Sequence, residues 1–237
     1  MPFFSVIIPT YNRAYIINRT ITSVLNQTFT DWELIIVDDG SIDNTKEVVA
    51  AISDNRIKYI YQQNKERSAA RNAGIRNATG TYICFLDSDD QFRENHLETL
   101  FKHITEKSFP VALFFTDYVF INHHQVSEPE IPGMGEENPM YYFLNNPVVP
   151  ARVCIHSDIL KDSSFREDIV IVEDTVLWVT IANRFPVFHI RERTVNYHFH
   201  DNNSVSISNN CFLPRLNGLK KLFLQPALKN KIPGIVH

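Results

Sequence analysis

Several large functional classes are excluded by what this sequence lacks. It holds only three cysteines, Cys84, Cys154 and Cys211. They are odd in number, far apart and without a Cys-x-x-Cys pair, which argues against zinc or dithiol chemistry and favours a reducing compartment. There is no excess of basic charge: 23 Lys and Arg stand against 27 Asp and Glu, for a formal net charge of −4. Such a surface has no general attraction for a phosphate backbone, so nucleic acid is disfavoured as a partner. No apolar run is long enough to span a bilayer, and Met1 to Thr10 enters a strand-like run with no basic flank or cleavage pattern, so a cytoplasmic location is expected. Also missing are the Gly-x-x-x-x-Gly-Lys loop, the Gly-x-Gly-x-x-Gly fingerprint, the Gly-x-Ser-x-Gly elbow and the His-Glu-x-x-His helix. A kinase, a dehydrogenase, an esterase and a zincin all lose ground.

What is present is ordinary globular material. The 237 residues are 44% hydrophobic and 21% charged, enough to bury a core without a staple and consistent with one large α/β domain or two lobes sharing a sheet. Apolar runs at 4–9, 32–37 and 81–86 read as buried strands, and the alternation at 56–62 as a third strand in chain order. Helical spacing over 15–26, 44–52 and 68–78 places a helix after each of the first three strands. Strand and helix therefore alternate through the first ninety positions, which implies right-handed crossovers and a mainly parallel central sheet with helices on both faces. Beyond it, strands are expected at 111–121, 148–155, 187–190 and 194–198, a helix at 173–183, and a loop rich in Pro, Gly and Glu at 127–139. There is no internal repeat or low-complexity tract.

In such sheets ligands bind beyond the carboxyl ends of the strands. Three polar clusters, Thr10 to Arg13, Asp38 to Ser41 and Asp87 to Asp90, each follow a strand and should converge on one rim. The three carboxylates of Asp87-Ser88-Asp89-Asp90 repel one another unless a cation or hydrogen-bond donors offset them. Mg²⁺ or Mn²⁺ would do so while leaving positions for phosphate oxygens. The bland reading is a solvated turn capping the next helix; the shared rim favours the metal. Capping accounts for one residue of Asp38-Asp39 and leaves the other for a base or ribose. Arg67 and Arg71 suit phosphate or the acidic cluster, whereas Arg76 reads as a solvated charge. Glu173-Asp174 could merely complement a helix dipole. A transfer to a hydroxyl, however, needs a carboxylate outside the metal cluster, and Asp174 is the candidate in the second half. His198 and His200 alternate on a strand, as a phosphate or metal pair or as surface histidines.

Taken together, Val-Ile-Ile-Pro-Thr-Tyr-Asn-Arg (6–13), Val-Asp-Asp-Gly-Ser (37–41), Ser-Ala-Ala-Arg-Asn-Ala-Gly (68–74), Phe-Leu-Asp-Ser-Asp-Asp (85–90) and Glu-Asp (173–174) resemble the family 2 inverting glycosyltransferases of GT-A fold. The resemblance is highly specific over 4–100, moderate to about 206 and absent beyond. It implies a Rossmann-like nucleotide-sugar-binding half at 1–105, an acceptor-binding and catalytic-base half at 106–208, and a tail at 209–237. It implies nucleotide contacts from Thr10, Tyr11, Arg13, Asp39, Arg67, Arg71 and Asp87, metal or diphosphate contacts from Asp89 and Asp90, and Asp174 as the base. Glu173, His198 and His200 join as diphosphate or acceptor contacts, with His198 standing where an arginine is common. The implied donor is a UDP-sugar, the metal Mn²⁺ or Mg²⁺, and the acceptor a glycan or lipid-linked saccharide. The rival readings are a nucleotide-sugar-binding protein without catalysis and a sugar-phosphate nucleotidyltransferase, although Pro9 to Ala14 is not the Gly-rich loop of the latter. Acceptor choice is expected within 111–152. From Cys211 onward every charged side chain is basic and interleaved with leucines, so residues 211–231 read either as a helix packed on the body or as a peripheral contact with an anionic membrane.

Overall fold

The computed structural model describes residues 1–122, 125–199, 212–225 and 228. Strands β1 (Phe4–Thr10) and β2 (Trp32–Asp38) are buried at all seven positions each, as central parallel strands covered on both faces must be. Alternation divides their side chains between two cores: Ile7, Ile35 and Val37 face one side, Val6, Ile8, Leu34 and Ile36 the other. Helices α1 (Ile17–Leu25), α2 (Thr45–Ala50) and α3 (Glu66–Asn77) connect these strands to β3 (Ile57–Tyr61) and β4 (Tyr82–Phe85). The alanine face of α3 lies against β1, and a side chain on Gly74 would collide with Ile7. That lets the helix sit close to the sheet and carry Arg71 down to its rim.

β1 to β4 pair in parallel in the order β3-β2-β1-β4. The sheet then continues through β8 (Val153–His156), β6 (Leu113–Asn122), β9 (Val187–Phe199) and β5 (Gln91–Phe92), with β7 (Gln125–Ser127) paired to β6. β8 is antiparallel to both β4 and β6, and β9 is parallel to β6. The sheet is thus parallel through its first half and mixed beyond, one continuous layer across the boundary expected near residue 105. α4 (His96–Glu106) and α6 (Glu173–Ala182) cover it.

Besides the short strands β5 and β7, which were not expected, three elements depart from the sequence reading. The strands expected at 187–190 and 194–198 are the single strand β9, whose register against β6 slips on either side of Asp117. Extra residues at Arg191 and Glu192, and then at Thr194, bulge there, so the apolar alternation breaks while the strand continues. The strand expected from 148 starts only at Val153, because Pro150 opens a 3-10 turn through Arg152. A helix that was not expected, α5 (Pro139–Asn145), begins where Asn138 Oδ1 accepts the Met140 N–H and Pro139 occupies the first helical position.

The stretch 127–138 is laid onto β9. Arg191 and Arg193 donate to the carbonyls of Ile131 and Pro129, and the Met134 N–H donates to His189 Nδ1. With Nδ1 accepting, the imidazole proton sits on Nε2 and is donated to Asp117 at 2.7 Å. At the other end, α7 (Phe212–Phe223) is the described part of the basic tail. Leu222 is buried in the core shared with α6, and Lys221 pairs with Asp168 at 2.7 Å. This much of the tail is packed on the body.

Candidate active site

Beyond the carboxyl ends of β1, β2 and β4 lies a cavity of about 560 Å³. Thr10, Tyr11, Arg13 and Asp39 line one bank, Asp87, Asp89 and Asp90 the floor, Arg67 and Arg71 the wall from α3, and Glu173 and Asp174 the opposite bank. These residues come from five separate stretches of chain and meet as the strand-end rule requires. His198 does not line the cavity; its N–H donates to Asp90 Oδ1 at 2.8 Å and its Nε2 lies 2.9 Å from Gln91 Oε1. His200 lies outside the described residues.

The adjacent aspartates after β2 have different tasks. Asp38 is consumed by the fold: its carboxylate accepts from the Ser41 N–H at 2.7 Å and the Tyr59 hydroxyl at 2.6 Å. Asp39 is held through Oδ1 alone, by Gln62 and the Lys65 N–H, which leaves Oδ2 as the oxygen for a ligand. The hydroxyl of Thr10 is buried with no hydrogen-bond partner among the described residues, and burial of an unpaired hydroxyl is costly unless a ligand completes it. Gly40, at φ +85°, supplies the left-handed turn between Asp39 and Ser41, and a Cβ there would lie 2.8 Å from the Asn64 backbone nitrogen.

Arg71 lines the cavity and is tied to the acidic side chains around it. Its side chain is 3% exposed and spends both terminal nitrogens on carboxylates, Nη2 on Asp87 Oδ1 at 2.7 Å and Nη1 on Glu173 Oε1 at 2.9 Å. Buried between two anions, it serves the acidic cluster. Burial alone would favour its neutral form, but Asp87 and Glu173 outweigh it and push its pKa higher still. Arg67, whose Nε is 4.0 Å from Glu173, is about one-third exposed and reaches the open cavity.

Asp174 sits in the first turn of α6, its Oδ1 accepting the Thr175 N–H at 2.6 Å. Desolvation first, then the charge of Glu173, push its carboxyl up to about 7, against the pull of Thr175 and Arg71. A carboxylate of that basicity is poised to take a proton near neutrality.

Asp90 is also raised well above the ordinary carboxylate range, by burial and by the charges of Asp89 and Asp87. Such crowding is what a hard cation would relieve. Among the described residues no group of three or more His, Cys, Asp or Glu forms a ready cage. Asp87, Asp89 and Asp90, which line the cavity, are hard oxygen donors of the kind Mg²⁺ takes when phosphate oxygens and water complete its shell.

Sequence reasoning did not single out Asn64, Pro147, Val149, Pro150, Ile171 or Val172, which also line the cavity. Among the described residues of the 111–152 stretch expected to choose the acceptor, Pro147, Val149 and Pro150 reach it, and Trp178 Nε1 fixes their loop by donating to the Val148 carbonyl at 2.8 Å. No motif marks them.

The family profile described as Glycosyl transferase family 2 matches residues 5–160, which contain all of these strand-end clusters except Glu173-Asp174. The chain belongs to glycosyl transferase family 2. Among its relatives, an uncharacterized glycosyltransferase of Rickettsia conorii is 38% identical over 76% of this chain, a match that spans 30% of the relative. The UDP-Glc:alpha-D-GlcNAc-diphosphoundecaprenol beta-1,3-glucosyltransferase WfgD of Escherichia coli is 37% identical over 52% of this chain and 48% of its own. This family member thus spans less than a third of the first relative and about half of the second. The crystal structure of S. aureus TarS 1-349 in complex with UDP-GlcNAc superposes with a TM-score of 0.75 at 19% identity, covering 94% of this chain and 67% of that 1-349 chain. That likeness shows the fold, which is of the GT-A type.

Proposed function

We propose that the chain transfers a sugar from a UDP-sugar to a hydroxyl of a saccharide, free or lipid-linked, with inversion at the anomeric carbon. The observation that carries this reading is Asp174: a carboxylate raised to about 7 that lines the same cavity as Asp39 and Asp87. WfgD is named for a UDP-glucose donor and a diphosphoundecaprenol acceptor, and TarS was crystallised with UDP-GlcNAc, which supports a uridine donor. Asp39 Oδ2 and the unpartnered Thr10 hydroxyl bind the nucleoside from the β1 and β2 rim. Arg67 faces the diphosphate, and Asp87 is held in orientation by Arg71.

Asp89 and Asp90, which both line the cavity, would hold Mn²⁺ or Mg²⁺, and the ion would offset negative charge on a departing diphosphate. Asp174 removes the proton from the acceptor hydroxyl as that oxygen attacks from the face opposite the nucleotide. One displacement inverts the configuration and needs no covalent intermediate. Pro147, Val149 and Pro150 offer an apolar wall to the acceptor side.

A panel of UDP-sugars, with and without Mn²⁺, tests the reading through thermal stabilisation and release of UDP. UDP-dependent stabilisation together with release from at least one sugar donor is expected. Stabilisation without release from any donor, even with saccharide acceptors added, would favour a binding protein without catalysis. A lipid-linked acceptor would bring the protein to a membrane surface. Sedimentation with anionic liposomes reports that contact, and recovery in the supernatant would favour a free saccharide.

A further inference from the structure

The segment that delivers Asp174 is strained. Val172, the residue before α6, has φ +66° and ψ +19°, the left-handed region that a β-branched side chain avoids. Val172 and the three residues after it all line the cavity. Such a conformation persists only where surrounding structure over-determines it. The question is what holds Val172 there.

Both ends of the segment are fastened. On the α3 side, Asn72 accepts the Phe165 N–H at 3.0 Å and donates to the Phe165 carbonyl at 2.9 Å. On the other side stands α7. Lys221 donates to both the carboxylate and the carbonyl of Asp168, and Leu222 is buried in the same core as Val176 and Leu177 of α6. Between them Gly218, buried and in the interior of a helix, faces the strained residue. A Cβ at 218 would lie 2.6 Å from Val172 Cγ2 and 2.9 Å from the Ile171 carbonyl oxygen. Glycine is the poorest helix former after proline, and here its missing side chain is what admits the helix.

We propose that Gly218 is a positioning residue for the Asp174 carboxylate: by lacking a side chain it lets α7 close on Val172 and hold the left-handed turn that points the start of α6 into the cavity. The proposal rests on Asp174 acting as the base. α7 then belongs to the working site although the family match stops at residue 160. Displacing a catalytic group by an ångström from a distance can cost up to about a hundredfold in rate with binding intact.

The test uses the full chain, UDP as the binding probe, and whichever UDP-sugar is turned over in the screen above. Gly218→Ala is expected to lower kcat by about tenfold or more while UDP affinity stays within about threefold. In a Val172→Gly background, where the left-handed turn is unstrained and Cγ2 is gone, the same Gly218→Ala change should cost kcat clearly less than in the wild type, the remainder reflecting the approach to the Ile171 carbonyl oxygen. If Gly218→Ala fails to fold, Lys221→Gln, which only unfastens Asp168, should still lower kcat with UDP affinity intact. An unchanged kcat, a parallel loss of kcat and UDP affinity, or equal cost in both backgrounds would overturn the proposal. Asp174→Asn separates this from the reading beneath it. If Asp174→Asn is inactive while Gly218→Ala keeps full kcat, the positioning role fails alone; if Asp174→Asn is fully active, the base assignment fails first.

Discussion

Replacing Asp174 by Asn should silence the protein and stabilise it, with the gain depending on pH. The folded carboxyl titrates near 7 instead of near 3.8, because burial and Glu173 oppose its charge. Between those values the folded state binds more protons than the unfolded state, so stability falls as pH rises through this window and the full cost is present above pH 7. Ionising such a group at pH 8 costs at most about 4 kcal/mol, and screening at the cavity mouth reduces this to roughly 1–3 kcal/mol. Asn keeps the side-chain oxygen that accepts the Thr175 N–H and carries no charge, so it escapes that cost. For a chain of this size each kcal/mol moves Tm by about 2–4 °C. Asp174→Asn should therefore melt several degrees above wild type at pH 8 and within a degree or so at pH 4. Its turnover should fall by at least about a hundredfold, with UDP affinity little changed. Melting curves at matched ionic strength from pH 4 to 8, with turnover and calorimetric titration at pH 8, provide the readings. A Tm difference that is flat with pH would refute the desolvated carboxyl, and wild-type turnover would refute the base.

Two other substitutions probe the floor of the cavity and the frame beneath it. Asp89→Asn should abolish stimulation by Mn²⁺ while leaving Tm within about 2 °C, since the shape is kept and a hard anionic ligand is lost; metal-stimulated turnover at the wild-type level in the variant would place the ion elsewhere. Glu33 is buried beneath the Thr79-Gly80 turn: burial alone would raise its pKa, but hydrogen bonds from Lys58, Ser5 and Thr79 win and bring it down to about 2. Its contribution is present above pH 4.5 and lost as pH falls toward 2. Glu33→Gln should cost roughly 1–3 kcal/mol at pH 7 by denaturant unfolding, and the deficit should shrink toward pH 2; a deficit independent of pH would show that charge is not what Glu33 contributes.

The parallel half of the fold was legible because burial on both faces leaves a continuous apolar run, as in β1 and β2, and each run ends on its own polar cluster. The convergence of Thr10, Asp39 and Asp87 on one rim followed from topology alone. What could not be read was the division of labour within a cluster: nothing in the sequence separates Asp38, spent on Ser41 and Tyr59, from Asp39, which keeps an oxygen for a ligand. The same holds for Arg71, whose carboxylate partner Glu173 is 102 positions away. The second half was less legible because its order is carried by polar contacts distant in sequence, such as the buried Arg152-Asp117-His189 group. A bulge in β9 also imitates a strand break. Val172 ran against expectation, since a β-branched residue argues for an extended backbone and here stands in a left-handed turn.

The guanidinium of Arg71 acts as a yoke. It stands on α3, yet it grips Asp87 after β4 and Glu173 at the start of α6, so the span between these two sides of the cavity is set by the width of one rigid planar group. A lysine has the same charge but no fork, and would leave that span loose. Chimeras follow the same rule. A second half borrowed from another family member to change acceptor will seat correctly only if it brings a carboxylate to the position of Glu173, however well its sheet strands match.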